Sequence, residues 1–127
     1  MLVRVLMGSL VAVLSAALPV LAQEGHPLTG SWHGAWTPNG KRTPVMIYMK
    51  YDGKEVVGSI NPGPRAIPLK VVTLDPGKWT VHLEGDAKDG THVVVDGKLD
   101  NIGSYNRTIT GTWSEGANKS EFKVTRD

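Results

Sequence analysis

The sequence predicts an all-β protein whose chain forms an eight-stranded antiparallel up-and-down β-barrel behind a cleaved signal peptide. Three observations carry that expectation. Turn-forming clusters of Gly, Pro, Asn and Asp recur at short intervals; the segments between them alternate apolar and polar residues with period two; and nothing beyond residue 22 has the spacing of an amphipathic helix.

The chain opens on an export signal. Arg4 supplies the positive start, Val5 to Leu18 is almost wholly apolar, and Val20-Leu21-Ala22 fits a small-residue cleavage site. A membrane span needs about 20 apolar residues, whereas Pro19 and then Gln23-Glu24-Gly25-His26 end this run early. Cleavage is expected between Ala22 and Gln23, dividing the chain into a signal peptide, 1–22, and a single barrel domain, 23–127. The destination is the periplasm or the exterior, with no membrane insertion after cleavage. Removing 22 of 127 residues leaves 105, a length suited to one core. No cysteine is present, so a disulfide framework is ruled out and packing alone must hold the fold.

Each strand has its own justification. The first, near 29–37, opens on Gly30-Ser31-Trp32, reaches Trp36 and stops at Pro38-Asn39-Gly40. The second, 43–51, alternates Val45, Ile47 and Met49 with Met46, Tyr48 and Lys50 before Asp52-Gly53. The third, 55–61, carries Val56, Gly58 and Ile60 inward and ends at Asn61-Pro62-Gly63-Pro64. The fourth, 66–73, points Ile67, Leu69 and Val71 inward before Asp75-Pro76-Gly77. The fifth, 78–85, alternates Trp79, Val81 and Leu83 with Thr80, His82 and Glu84, then meets the turn from Asp86 to Gly90. The sixth, 91–99, buries Val93, Val95 and Leu99 before Asp100 to Gly103. The seventh, 105–114, buries Ile109, Gly111 and Trp113 before Glu115-Gly116; the eighth, 119–126, turns Phe122, Val124 and Arg126 inward.

Connections this short pair successive strands as hairpins. Eight such strands can close on themselves and so remove the exposed edges of an open sheet. A two-sheet sandwich of the same strands is the alternative packing.

Gly30-Ser31-Trp32 on the first strand, Gly111-Thr112-Trp113 on the seventh and Arg126 at the end of the last form a pattern. It resembles the calycin-like barrels, the lipocalins and avidins, and also small bacterial secreted proteins with the same opening Gly-x-Trp and closing Gly-Thr-Trp. The resemblance implies a ligand-binding barrel with Gly30, Trp32, Gly111 and Arg126 in structural roles. In a meander the first strand begins where the eighth finishes, so Trp32 and Arg126 are expected to meet there, with a cation–π contact worth about 0.5–2 kcal/mol. Biotin is not the implied ligand, because His33-Gly34-Ala35-Trp36 replaces the polar residues that avidins use after their first tryptophan. Lipocalins also carry a helix, which this chain has no segment to form.

Charge excludes some functions. Loss of Arg4 leaves 13 basic against 12 acidic residues, interspersed rather than clustered, so no basic face for nucleic acid is expected. The four histidines, His26, His33, His82 and His92, are scattered, and no metal or cofactor site is expected. If the fifth and sixth strands turn around Ala87 and Lys88, His82 and His92 face each other on the outer surface. That pair is the basis of the enzymatic alternative, a surface hydrolase. No nucleophile elbow, phosphate loop or Ser/His/Asp spacing accompanies it, and the protein is expected not to be an enzyme.

Tryptophan carries the functional expectation. Trp36, Trp113 and Phe122 should share the rim opposite Arg126, with Val45, Ile60 and Leu83 at the same level. The six either form the mouth for a small apolar ligand or fill an eight-stranded barrel that is only just wide enough for its own side chains. A rim position would also make Trp113 less important to folding than Trp32. The second functional expectation is a protein-interaction module, such as a protease inhibitor or an assembly partner. It would use the tail Gln23 to Leu28 or an outer apolar patch of Met46, Tyr48, Val57 and Val72.

Overall fold

A computed structural model describes residues 26–104 and 106–127. The proposed signal peptide and the proposed start at Gln23 lie outside the described residues. Eight antiparallel strands form a closed up-and-down barrel: β1 (Gly30–Trp36), β2 (Thr43–Tyr51), β3 (Val56–Ile60), β4 (Ile67–Asp75), β5 (Thr80–Asp86), β6 (His92–Asp100), β7 (Thr108–Glu115) and β8 (Asn118–Arg126). The expected meander is the observed one, and the sandwich is not. A short 3-10 turn, Pro38–Gly40, joins β1 to β2.

Alternation puts one face of every strand inside. Trp32, Ile47, Met49, Ile60, Leu83, Val93, Val95, Ile109, Trp113 and Val124 have no exposed surface. Burying them supplies most of the driving force, at about 25 cal/mol per Å² of apolar surface. Strand spacing is set partly by glycine: a Cβ at Gly111 would lie 2.0 Å from the Asp96 carbonyl oxygen. At Gly97, the register partner of Gly111, a Cβ would lie 3.1 Å from Phe122 Cζ, so the missing side chains make room for that ring.

Two expectations about the core are corrected. In β4 the register shifts between Leu69 and Val71, so Val72 stands opposite Leu83 and Leu74 opposite Val81. This β-bulge reverses the phase of the strand: Val72 and Leu74 pack on the core in place of Val71. Val72 therefore leaves the expected outer patch, while Tyr48 and Val57 remain exposed there. Leu28, ahead of the first strand, is wholly buried and closes the barrel end beside Trp32.

The β3–β4 junction is the narrowest in the barrel. Only Ser59↔Pro68 and Ile60↔Ile67 pair across it. Pro68 has no N–H to donate to a ladder, and the bulge that follows increases local twist. From Leu69 onward β4 turns to β5 alone.

Candidate functional site

The two ends of the barrel differ. At the end formed by the β1–β2, β3–β4, β5–β6 and β7–β8 turns, Trp36 and Trp113 lie 6.1 Å apart and tilted, and Phe122 meets Trp113 edge-on at 5.4 Å. The three rings share one end, as expected. They are closed off, however: Trp113, Ile60 and Leu83 have no exposed surface, and Trp36, Val45 and Phe122 have almost none. The six residues expected at a mouth are thus part of the filled interior. Trp113 is as deeply buried as Trp32, which removes the reason to expect unequal burial at the two positions.

At the opposite end Trp32 and Arg126 are register partners, as expected. Among the described residues no cation–π pair forms. The Arg126 stem runs beside Gly30, where a Cβ would be 2.9 Å from Cδ, and Nη1 reaches the Thr29 carbonyl at 3.5 Å. Gly30 has φ 138°, a conformation that suits a residue without a Cβ. The Trp32 indole instead donates from Nε1 to the Leu28 carbonyl at 2.9 Å. A second arginine fastens this end: Arg107 donates from Nε to Ile102 O at 2.8 Å and from Nη1 to Pro27 O at 3.1 Å. Burial, and then the nearby charge of Arg126, lower the Arg107 pKa.

Beside the Leu28 plug lies a cleft of about 460 Å³, bounded by the N-terminal segment, the β2–β3 and β4–β5 turns and the open part of the β3–β4 junction. Leu28, Tyr51, Val56, Val72, Leu74 and Trp79 give it an apolar and aromatic wall; His26, Lys54 and Glu55 are its polar groups. His26 stacks on Tyr51 with centroids 5.0 Å apart, and its Nδ1 accepts from Leu28 N at 3.2 Å. Burial lowers the His26 pKa, favouring the neutral ring that this acceptor role needs.

Trp79 sits in this wall with φ 55°, which a bulky side chain rarely adopts. The turn before it explains how it gets there: Asp75 Oδ1 accepts from Gly77 N at 2.9 Å and Lys78 N at 3.3 Å, and Trp79 O then accepts from Leu99 N at 2.8 Å. Backbone held in a sparsely populated region is a feature of ligand-binding positions. A larger groove, about 590 Å³, lies outside the barrel over β1, β7 and β8, but polar Thr37, Thr110, Glu121 and Lys123 make up much of its lining.

The outer face of β5 and β6 carries the other concentration of functional groups. His82 and His92 are not opposite each other. Asp89-Gly90 forms the turn, with Gly90 at φ 90° and Ala87 N bonded to Thr91 O, so His82 pairs with Asp96 and Asp86 with His92. Glu84 then joins the two rings: His82 Nε2 lies 2.7 Å from Oε2 and His92 Nε2 lies 3.0 Å from Oε1. The outer ring nitrogens meet Asp96 at 2.5 Å and Asp86 at 2.6 Å, and Lys70 reaches Asp86 at 2.5 Å.

An ionised carboxylate only accepts, so hydrogen bonds at all four ring nitrogens require the imidazolium form of both histidines, and the arrangement favours that form. The hydrogen bonds to Asp96 and then Glu84 raise His82, and that to Asp86 raises His92. The same contacts lower Glu84, through His82 first, and Asp86, through Lys70 first. The ring nitrogens converge on a carboxylate rather than on a common point, and among the described residues no His, Asp or Glu set is disposed to hold a metal ion.

Comparison of the chain with protein-family models, with curated proteins and with solved structures finds no match to any of them.

Proposed function

We propose that this protein is an exported, non-enzymatic binding module of calycin-like type, and that it takes a small apolar group into the cleft beside Leu28. The observation that carries this reading is the contrast between the barrel ends: Trp36, Trp113 and Phe122 fill one, while Tyr51, Val56, Val72, Leu74 and Trp79 line an open cleft at the other. Charged and polar groups at the cleft are few, with His26, Lys54 and Glu55 at its edge, which suits recognition by apolar contact with a few orienting polar groups.

Titration with anilinonaphthalene sulfonate, an apolar fluorophore, tests the proposal. Saturable enhancement of its emission, weakened by Leu74→Asp, is the expected result; no saturable binding, or binding indifferent to that change, contradicts it. A protein-interaction role is the second reading, favoured by Tyr48 and Val57, which are 43% and 39% exposed on the outer face of adjacent strands.

A further inference from the structure

Alternate turns of a meander share one end, and this gathers cations that lie apart in the sequence. The β1–β2 turn carries Lys41 and Arg42, the β3–β4 turn Arg65 and the β5–β6 turn Lys88, while Lys119 is the second residue of β8 beside the β7–β8 turn. All five are exposed, and none forms an ion pair among the described residues. Arg65 and Lys88 line a common hollow of about 350 Å³ between their two turns, together with Ala87 and Asp89.

Two carboxylates stand among these cations. Asp89 accepts from Thr91 N at 2.9 Å, and Glu115 is half-buried, with burial holding its carboxyl above the ordinary value. Asp86, the next carboxylate along the β5 wall, is matched by Lys70 and His92. Of the 13 basic and 12 acidic residues beyond residue 22, the filled end holds five and two, leaving eight and ten for the rest. The whole positive excess of a nearly neutral chain is therefore at this end.

The distribution of that charge narrows the partner. The hollow is lined by two of the five cations and the others stand on different turns, so an extended anionic array meets them all where a small anion does not. Trp36, Trp113 and Phe122 are buried in the middle of this end and leave no exposed ring there for a nucleic-acid base to stack on. Tyr48 and Val57, the exposed large apolar side chains among the described residues, lie within β2 and β3 and not in these turns. The end therefore offers charge without the apolar anchor that a protein partner or insertion into lipid would use. Lipid headgroups form a planar array that rearranges laterally beneath fixed cations, and each Lys or Arg near an anionic surface adds an attraction that decays within a Debye length.

We propose that the filled end of the barrel is a docking surface for an anionic lipid bilayer, held by Lys41, Arg42, Arg65, Lys88 and Lys119 without insertion. The cleft beside Leu28 opens at the opposite end, so docking turns it away from the membrane. This goes beyond the binding-module reading and stands independently of it.

The test measures partition of the exported protein onto phosphatidylcholine vesicles with and without phosphatidylglycerol. Binding should require phosphatidylglycerol and should be lost as salt rises from about 0.05 M to about 0.5 M, which shortens the Debye length. Lys41→Gln, Arg42→Gln, Arg65→Gln and Lys88→Gln combined should weaken it by about tenfold or more. Lys54→Gln, Lys78→Gln, Lys98→Gln and Lys123→Gln combined remove the same charge elsewhere and should weaken it by less than about threefold. A second measurement needs no variant: bicelles carrying a headgroup spin label should broaden amide signals of the isotope-labelled protein at residues 38–42, 63–66 and 87–90 and spare Tyr51, Val56 and Trp79. Equal losses in the two variants, broadening centred on the cleft end, or no binding to phosphatidylglycerol at low salt overturns the proposal. A single-stranded oligonucleotide that binds where the vesicles do not would assign the cations to nucleic acid and overturn it as well.

Discussion

Trp32 donates its indole N–H to the carbonyl of Leu28 at 2.9 Å, and both residues are fully buried. Trp113 is buried equally, yet its Nε1 has no acceptor in hydrogen-bond geometry. Glu115 comes close enough to that N–H to be lowered by it, but burial dominates and holds the carboxyl above its ordinary value. The same substitution should therefore have different costs. Trp32→Phe strands a buried carbonyl, a penalty of about 1–3 kcal/mol beyond lost packing, whereas Trp113→Phe removes an unsatisfied donor. Chemical denaturation of the two variants should show the larger loss at Trp32.

Gly111 separates β7 from β6 at a distance no side chain allows, since a Cβ there would fall 2.0 Å from Asp96 O and 2.6 Å from Gly97 Cα. Backbone cannot yield there without parting the strands. Gly111→Ala should cost about 3 kcal/mol or more, read as a fall in the denaturation midpoint. Gly103→Ala provides the comparison for crowding, because nothing lies within 4 Å of a Cβ there and its backbone is not in the positive-φ region.

The chain from Asp96 through His82, Glu84, His92 and Asp86 to Lys70 should make stability depend on pH in both directions. His82 and His92 are raised in the folded state, so their contribution is complete below the ordinary imidazole value of 6.5 and is lost as pH rises through the raised values. Glu84 and Asp86 are lowered, so theirs is present above 4.5 and 3.8 and is lost as pH falls through the lowered values. The network should thus contribute most in mildly acidic solution. His82→Gln with His92→Gln should remove the alkaline loss from the pH profile of thermal unfolding. His26, which burial lowers, remains in both proteins and cancels from the difference.

Trp79 joins an unusual backbone conformation to a place in the cleft wall, and these can be separated. Asn accepts positive φ more readily than Trp. Trp79→Asn should weaken binding of anilinonaphthalene sulfonate by about tenfold through lost apolar contact while lowering the denaturation midpoint less than Trp32→Phe does.

Period-two alternation makes the strands legible, and the turn clusters place their ends within a few residues of the observed ones. What escapes depends on contacts between strands. The β4 bulge follows Pro68, whose missing N–H signals an incomplete ladder, but sequence alone does not show which neighbour that strand abandons. Asp89-Gly90 is the cue for the β5–β6 turn; centring it on Ala87 and Lys88 misplaces the partners of His82 and His92. Leu28 lies ahead of the first alternating segment, and Arg107, expected inside the seventh strand at 105–114, falls just before β7, so their parts in closing the barrel end become apparent only in three dimensions. Alternation groups the aromatic residues correctly, but period two cannot tell a ring that fills an interior from one that lines an opening.

Where an apolar ligand enters is decided by mapping chemical-shift changes across the isotope-labelled protein during titration with anilinonaphthalene sulfonate. Saturable shifts should concentrate at Tyr51, Val56, Val72, Leu74 and Trp79, around the cleft beside Leu28. Shifts concentrated instead at Trp36, Trp113 and Phe122, in the end those rings fill, would place the entrance at the wrong end of the barrel and refute binding at the cleft.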